Sequence, residues 1–192
     1  VGYGNSLFYA VVGTAINIFM TVFAAYPLSR KALFGKKLLT GLFVFTLIFN
    51  GGLIPYYLVV KATGILNTRL AMLLPQALQV WNMIIALSFF RVTIPDALYD
   101  AAEIDGASDF MVLWKVVFPL SGPIIAVLAL FYAVYHWNAY FEAMIFLKND
   151  RLYPLQIILR LILIENQVDA DMMMDIERIK RGQGLRDLLK YS

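Results

Sequence analysis

The sequence predicts an all-α, polytopic membrane protein, and three observations predict it. Hydrophobic residues make up 61% of the 192 positions against 15% charged, and mean hydropathy is +0.72, far from the balance of a soluble domain. The apolar residues gather into near-continuous runs of spanning length rather than into an amphipathic pattern. Short basic or turn-rich stretches separate the runs. Cysteine is absent, which excludes a disulfide framework or a thiolate metal site. A single histidine leaves little for a histidine-based metal or catalytic centre. The net charge of +3 sits in short clusters and gives no reason to expect nucleic acid.

The first span is expected over residues 6–28. Gly13, Thr14, Ala15, Ala24 and Ala25 give it small-residue faces for close packing. Asn17, its strongly polar side chain, is read as a hydrogen-bonding partner for a neighbouring helix or as part of a solute path. Arg30, Lys31, Lys36 and Lys37 then form a basic loop, which the positive-inside rule assigns to the cytoplasm. A second span, 38–60, is interrupted by Gly51-Gly52 and Pro55. The interruption reads most simply as a kink; the alternative is a break whose freed backbone groups line a cavity.

Gly64 and Asn67 mark a turn in the loop from Lys61 to Arg69. The third span, 70–90, carries Pro75, Gln76, Gln79, Asn82 and Ser88. Helical spacing puts Gln76 and Gln79 on one face, for interhelical hydrogen bonds or for a wet lining facing a hydroxyl-rich solute. The fourth span, 123–147, holds His136, Trp137, Asn138, Tyr140 and Glu142. Ionisable groups at such depth are costly unless paired or wet, so His136 and Glu142 are candidates by default. Trp137 and Tyr140 suit an interfacial belt or a sugar-stacking role.

Residues 93–122 stand apart as polar and acid-rich. Pro95 suits a first helical position and Asp96 the positive helix start. Asp96, Asp100 and Glu103 share one face, with Leu98, Ala101 and Ala102 on the other. Gly106 can end the helix in the left-handed region, and Ser108 or Asp109 can cap a second short helix closed by Pro119 and Pro123. This helix-turn-helix has no catalytic residues and reads as a docking handle. Counting crossings puts it with the Arg30–Lys37 loop, opposite Lys61–Arg69 and residues 148–192. In that last segment Leu155–Ile164 reads as a helix lying against the outer mouth and Asp169–Asp175 as loop. Arg178, Lys180, Arg181, Arg186 and Lys190 form a basic face, solvated or open to a partner.

Asp100-Ala101-Ala102, three residues, Gly106, then Val116, Phe118 and Pro119 resembles the EAA loop (Glu-Ala-Ala, three residues, Gly, nine residues, Ile-x-Leu-Pro) of ABC importer permeases. The departures are Asp for Glu, Val for Ile and Phe for Leu. Gly51-Gly52-Leu53-Ile54-Pro55, Leu66-Asn67-Thr68-Arg69, Trp137-Asn138 and Tyr153-Pro154-Leu155-Gln156 narrow the resemblance to the carbohydrate branch. It is most similar there to permeases serving complex or acidic oligosaccharides of the aldouronate, rhamnogalacturonan or alginate type.

The resemblance implies a type I permease fold of six spans. Four are visible, so the chain looks truncated at both ends. It implies a bacterial inner-membrane location, a second homologous permease, two cytoplasmic ATPase subunits and an extracytoplasmic binding protein. No cofactor is expected in this chain, since ATP and magnesium would sit in the ATPases. Asp100, Ala101, Ala102, Glu103, Gly106 and Pro119 would couple to an ATPase cleft. Gln76, Gln79, Asn82, Trp137, Asn138 and Tyr140 are candidates for the solute path. The competing readings are an ion-coupled secondary transporter, a membrane enzyme, for which the residue set is poor, and a scaffold subunit.

Overall fold

Helix α1, Gly2–Ser29, is the axis of the molecule. At 1.5 Å per residue its 28 residues reach about 42 Å. The two polar ends of the protein are therefore separated by roughly the full thickness of a bilayer. The computed structural model describes residues 1–31 and 33–165. Among these every regular element is helical: α2 (Lys36–Ile48), α3 (Leu53–Ala62), α4 (Leu70–Leu73), α5 (Val80–Thr93), α6 (Asp96–Ile104), α7 (Asp109–Val112), α8 (Phe118–Leu120), α9 (Gly122–Trp137), α10 (Tyr140–Phe146) and α11 (155–165). The basic residues expected between Arg178 and Lys190, and the loop expected at Asp169–Asp175, lie outside the described residues.

α1 packs chiefly along α9 and α5. The main core joins Val22, Ala25 and Tyr26 to Met83, Leu87 and Phe90 and to Leu128 and Tyr132. Small residues let the helices approach: a Cβ placed on Gly13 would overlap the ring of His136. A smaller core at the other end joins Tyr9 to Met72, Leu73, Ala139, Ala143 and Ile157.

α1 is the one described helix both long and apolar enough to cross a membrane unaided. The second expected span is two helices whose axes turn through 116°, which corrects the reading of Gly51-Gly52 as a kink. Pro55 has no N–H with which to continue a helix from Gly51, but it fits the first turn of α3. Gly52 adopts φ +83°, and its N–H turns back to Asn50 Oδ1 at 3.0 Å.

The third span is likewise interrupted. α4 ends at Leu73 and residues 74–79 are not helical. Gln76 and Gln79 therefore do not share a helical face, because that spacing holds only where the helix runs through. The fourth span breaks at Asn138-Ala139, between α9 and α10.

The handle also differs in detail from its sequence reading. Pro95 precedes the helix with φ −63° and ψ 143°, leaving Asp96 in the first turn. Pro119 does not close the second helix. It sits in the first turn of α8, after a wide π-type turn over Leu113–Val117. The chain bends instead by 80° between Leu120 and Gly122. There the Ser121 hydroxyl donates to the carbonyl of Val117, a back-bond that commonly bends helices.

Candidate functional site

The handle is built around a turn only glycine accommodates without strain. Gly106 takes φ +72°. Its N–H donates to Glu103 O at 3.0 Å, and the Ala107 N–H donates to Ala102 O at 2.9 Å. This is the paired bonding of a Schellman motif, and it satisfies the last carbonyls of α6. Ser108 then starts α7, its hydroxyl accepting the Met111 N–H at 3.4 Å. Asp100, Ala101 and Glu103 are exposed, and Ala102 is half-buried against the main core. Leu98, expected on the face opposite the acids with Ala101 and Ala102, is 39% exposed.

The residue that roots α6 is Tyr99, 6% exposed, which the sequence reading missed. The Arg30 guanidinium lies 3.8 Å from the centre of its ring, in cation–π range. Arg30 also reaches Asp109 at 3.9 Å, and Lys31 pairs with Asp96 at 2.5 Å. Burial pushes the Tyr99 hydroxyl above its ordinary value, while the Arg30 charge pulls the other way. Lys31 is held above the usual lysine value by its hydrogen bond to Asp96. Tyr99 stands at i−3 from Ala102, a spacing that could have revealed the packed face. Thus the basic loop and the handle meet at one end of α1.

Two buried polar groups lie along α1 between the two ends. Asn17 Nδ2 donates to the carbonyl of Gln76 at 2.6 Å, and Asn17 Oδ1 faces His136 Nε2 at 3.0 Å. One turn further along α1, the Thr21 and Tyr132 hydroxyls are 2.6 Å apart. The break after α4 leaves the Gln76 carbonyl without a helical partner, and Asn17 supplies one. Asn17 and His136 are both buried and engaged with each other, so they join helices rather than line open space.

Open space lies to one side, in a groove of about 620 Å³. It is bounded by the break between α2 and α3, the Pro75-Gln76 turn, and Phe141, Glu142 and Ile145 on α10. Gln76 Nε2 donates to Tyr56 Oη at 3.2 Å. Tyr135 Oη donates to Glu142 Oε1 at 2.8 Å. Of the solute-path candidates, Gln76 alone lines this groove. Gln79 Oε1 accepts from Asn82 Nδ2 at 3.2 Å, and Asn82 is buried. Trp137 meets Tyr3 edge to face at 6.1 Å, Asn138 Nδ2 donates to Val134 O, and Tyr140 lies under Arg160. Tyr56 and Asn50 are groove residues the sequence did not single out, since only the fold brings α2, α3 and α10 together. Among the described residues no three His, Asp or Glu side chains converge as metal ligands.

No family model matches the chain. Protein LplC of Bacillus subtilis is 44% identical over 167 residues, 87% of this chain and 56% of its own length. The polygalacturonan/rhamnogalacturonan transport system permease protein YtcP of the same organism is 42% identical over 177 residues, 92% of this chain and 60% of its own. A chain from the crystal structure of a bacterial ABC transporter involved in import of the acidic polysaccharide alginate superposes with a TM-score of 0.80. It is 35% identical over 83% of this chain and 56% of that one. The chain thus spans a little over half the length of the relatives it matches.

Proposed function

This chain is homologous to the permease subunits of bacterial ABC sugar importers, and from that premise we propose that it is the membrane part of an ATP-driven oligosaccharide importer. The observation that carries the proposal is the handle. An exposed acidic face, Asp100 and Glu103, stands beside the small Ala101 on a helix rooted by a buried tyrosine and ended by a fixed turn. Such an element transmits displacement well and performs no chemistry. In this reading a cytoplasmic ATPase subunit grips α6, with Asp100 meeting a basic residue. Closure of two ATPases swings the helices between inward- and outward-facing arrangements as a rigid-body change.

A second permease, the two ATPases and an extracytoplasmic binding protein complete the assembly in the bacterial inner membrane. ATP and magnesium belong to the ATPases. Asp100, Ala101, Ala102, Glu103, Gly106 and Pro119 form the coupling surface. Solute contact falls to the groove at Gln76; Gln79, Asn82, Trp137, Asn138 and Tyr140, the other candidates for the solute path, stand outside its lining.

The test is co-purification from the native membrane, followed by uptake in vesicles energised in two ways. Saccharide accumulation driven by enclosed ATP, and unaffected by collapsing proton and sodium gradients, is expected. Gradient-driven uptake with no ATPase in the preparation would establish a secondary transporter instead. An assembly whose ATPase ignores solute and binding protein would leave only a scaffold role.

A further inference from the structure

Residues 74–79 are not helical, and Gln76 within them is held at both its ends. Asn17 Nδ2 donates to the Gln76 carbonyl at 2.6 Å, and Gln76 Nε2 donates to Tyr56 Oη at 3.2 Å on the groove wall. Asn17 is fully buried and its Oδ1 faces His136 Nε2, so its amide cannot turn away without losing both partners. α5 leads from this turn to the handle along the chain, and α1, packed against α5, leads from Asn17 to the same handle. At that end the two helices are tied. Arg91 of α5 donates to Leu28 O at 3.1 Å, Tyr26 Oη donates to Asp109 O at 3.3 Å, and Arg30 rests on the Tyr99 ring. α1, the handle, α5 and the turn therefore form a closed frame, whose groove end is shut by the Asn17–Gln76 bond about 16 Å of helix from Leu28. A frame tied at both ends resists shear. Untied at the groove end, it lets α1 slide past α5 while the turn stays behind.

We propose that Asn17 is a positioning residue for transport: its hydrogen bond carries the 74–79 turn along with α1, so that displacement of the handle reaches the wall of the groove. Packed helices shift as rigid bodies, and an interrupted segment between them is the part that can lag. The Gln76 carbonyl has no helical partner, which makes the Asn17 grip costly to release. The role in transport rests on the permease reading above. The grip on the turn follows from the hydrogen bond alone.

The test is hydrogen–deuterium exchange on the complete purified assembly, at rest and trapped with ATP and vanadate. In the unaltered protein, trapping is expected to change exchange both at the handle, residues 96–106, and at residues 74–79. Asn17→Leu keeps the side-chain volume and suits an apolar span, but it cannot donate. It should raise resting exchange at 74–79 roughly tenfold, the equivalent of one lost hydrogen bond, and abolish the trapping response there while the handle still responds. Asn17→Ser, whose hydroxyl stops short of Gln76 and can bond its own helix, should do the same if the leucine protein fails to assemble. Thr21→Val combined with Tyr132→Phe is the control. It removes a buried α1–α9 contact one turn along the helix that makes no bond to the turn, and should leave the 74–79 response intact. A 74–79 response that survives in the Asn17 variants, or vanishes equally in the control, overturns the proposal. So does an unaltered protein in which the handle responds and 74–79 does not, which leaves the importer reading standing. A handle that ignores trapping defeats the importer reading, and resting exchange at 74–79 then decides the grip by itself.

Discussion

Gly13 lies flat against the imidazole of His136, and the Nε2 of that ring stands 3.0 Å from Asn17 Oδ1 one turn along α1. Close approach and hydrogen bond depend on each other: the ring reaches Asn17 because nothing projects from Gly13. A methyl group at Gly13 must push the ring away. Gly13→Ala is therefore expected to destabilise the protein by about 1–3 kcal/mol, the usual range for overpacking. Thermal unfolding of the purified assembly in detergent measures it. A Gly13→Ala protein as stable as the unaltered one would show that the α1–α9 contact is looser than described.

The Thr21–Tyr132 hydroxyl pair, 2.6 Å apart and buried, predicts a non-additive result. Thr21→Val or Tyr132→Phe alone leaves one buried hydroxyl unpaired and should cost about 1 kcal/mol. The double substitution should cost less than the sum of the two, since no orphan remains. Additive losses in a double-mutant cycle would mean the hydroxyls do not interact.

Gly106→Val is expected to abolish transport while leaving subunit assembly largely intact. No atom crowds the position, so the cost comes from φ +72°, about 1–2 kcal/mol for a side chain in the left-handed region. Gly35 supplies the control, with φ +74° and equally open surroundings in the neighbouring loop. Gly35→Val carries a similar backbone cost and should retain uptake. Equal uptake by both variants in ATP-loaded vesicles would remove the coupling role of the Gly106 turn.

Tyr99→Phe should preserve coupling and Tyr99→Ser should not. The ring supplies both the buried anchor and the surface on which Arg30 rests, whereas the hydroxyl contributes little. The readout is ATPase activity stimulated by solute and binding protein. A Tyr99→Ser assembly with unaltered stimulation would show that α6 is held by something else.

The Lys31–Asp96 pair gives a pH prediction with a definite sign. The folded-state value of Lys31 is raised. Its contribution is therefore fully present below the ordinary lysine value of about 10.4 and disappears only as pH rises through the higher folded value. The stability difference between the unaltered protein and Lys31→Gln should be flat from about pH 7 to pH 9 and shrink above the lysine range. A difference that changes near neutrality would point to another titrating group.

How far the sequence could be read depended on the range of the cause. α1 and the handle were legible because local signals fix them: a long apolar run, an acidic first turn, and a glycine followed by a capping serine. Gly106 has the left-handed conformation that its position demanded. The breaks within the other spans were harder, because Pro55 and Pro75 announce an interruption without fixing the direction the chain takes next. The Gln76 carbonyl is satisfied by Asn17, 59 positions away, and no spacing within the third span encodes that. The groove was invisible for the same reason. Tyr56, Gln76 and Glu142 meet only once α3, the Pro75 turn and α10 have been placed, while Trp137, Asn138 and Tyr140 are drawn into contacts with Tyr3, Val134 and Arg160.

Asn67 takes φ +60°, its N–H donates to Phe146 O at 2.8 Å, and its Oδ1 accepts the N–H groups of both Lys148 and Asn149 at 2.9 Å. One side chain thereby clamps the turn after α3 to the chain leaving α10. Load applied at either loop is shared by the other, so the rim of the protein opposite the handle answers as a stiff plate, and a protein settling on residues 148–153 would tilt α3 and α10 in step.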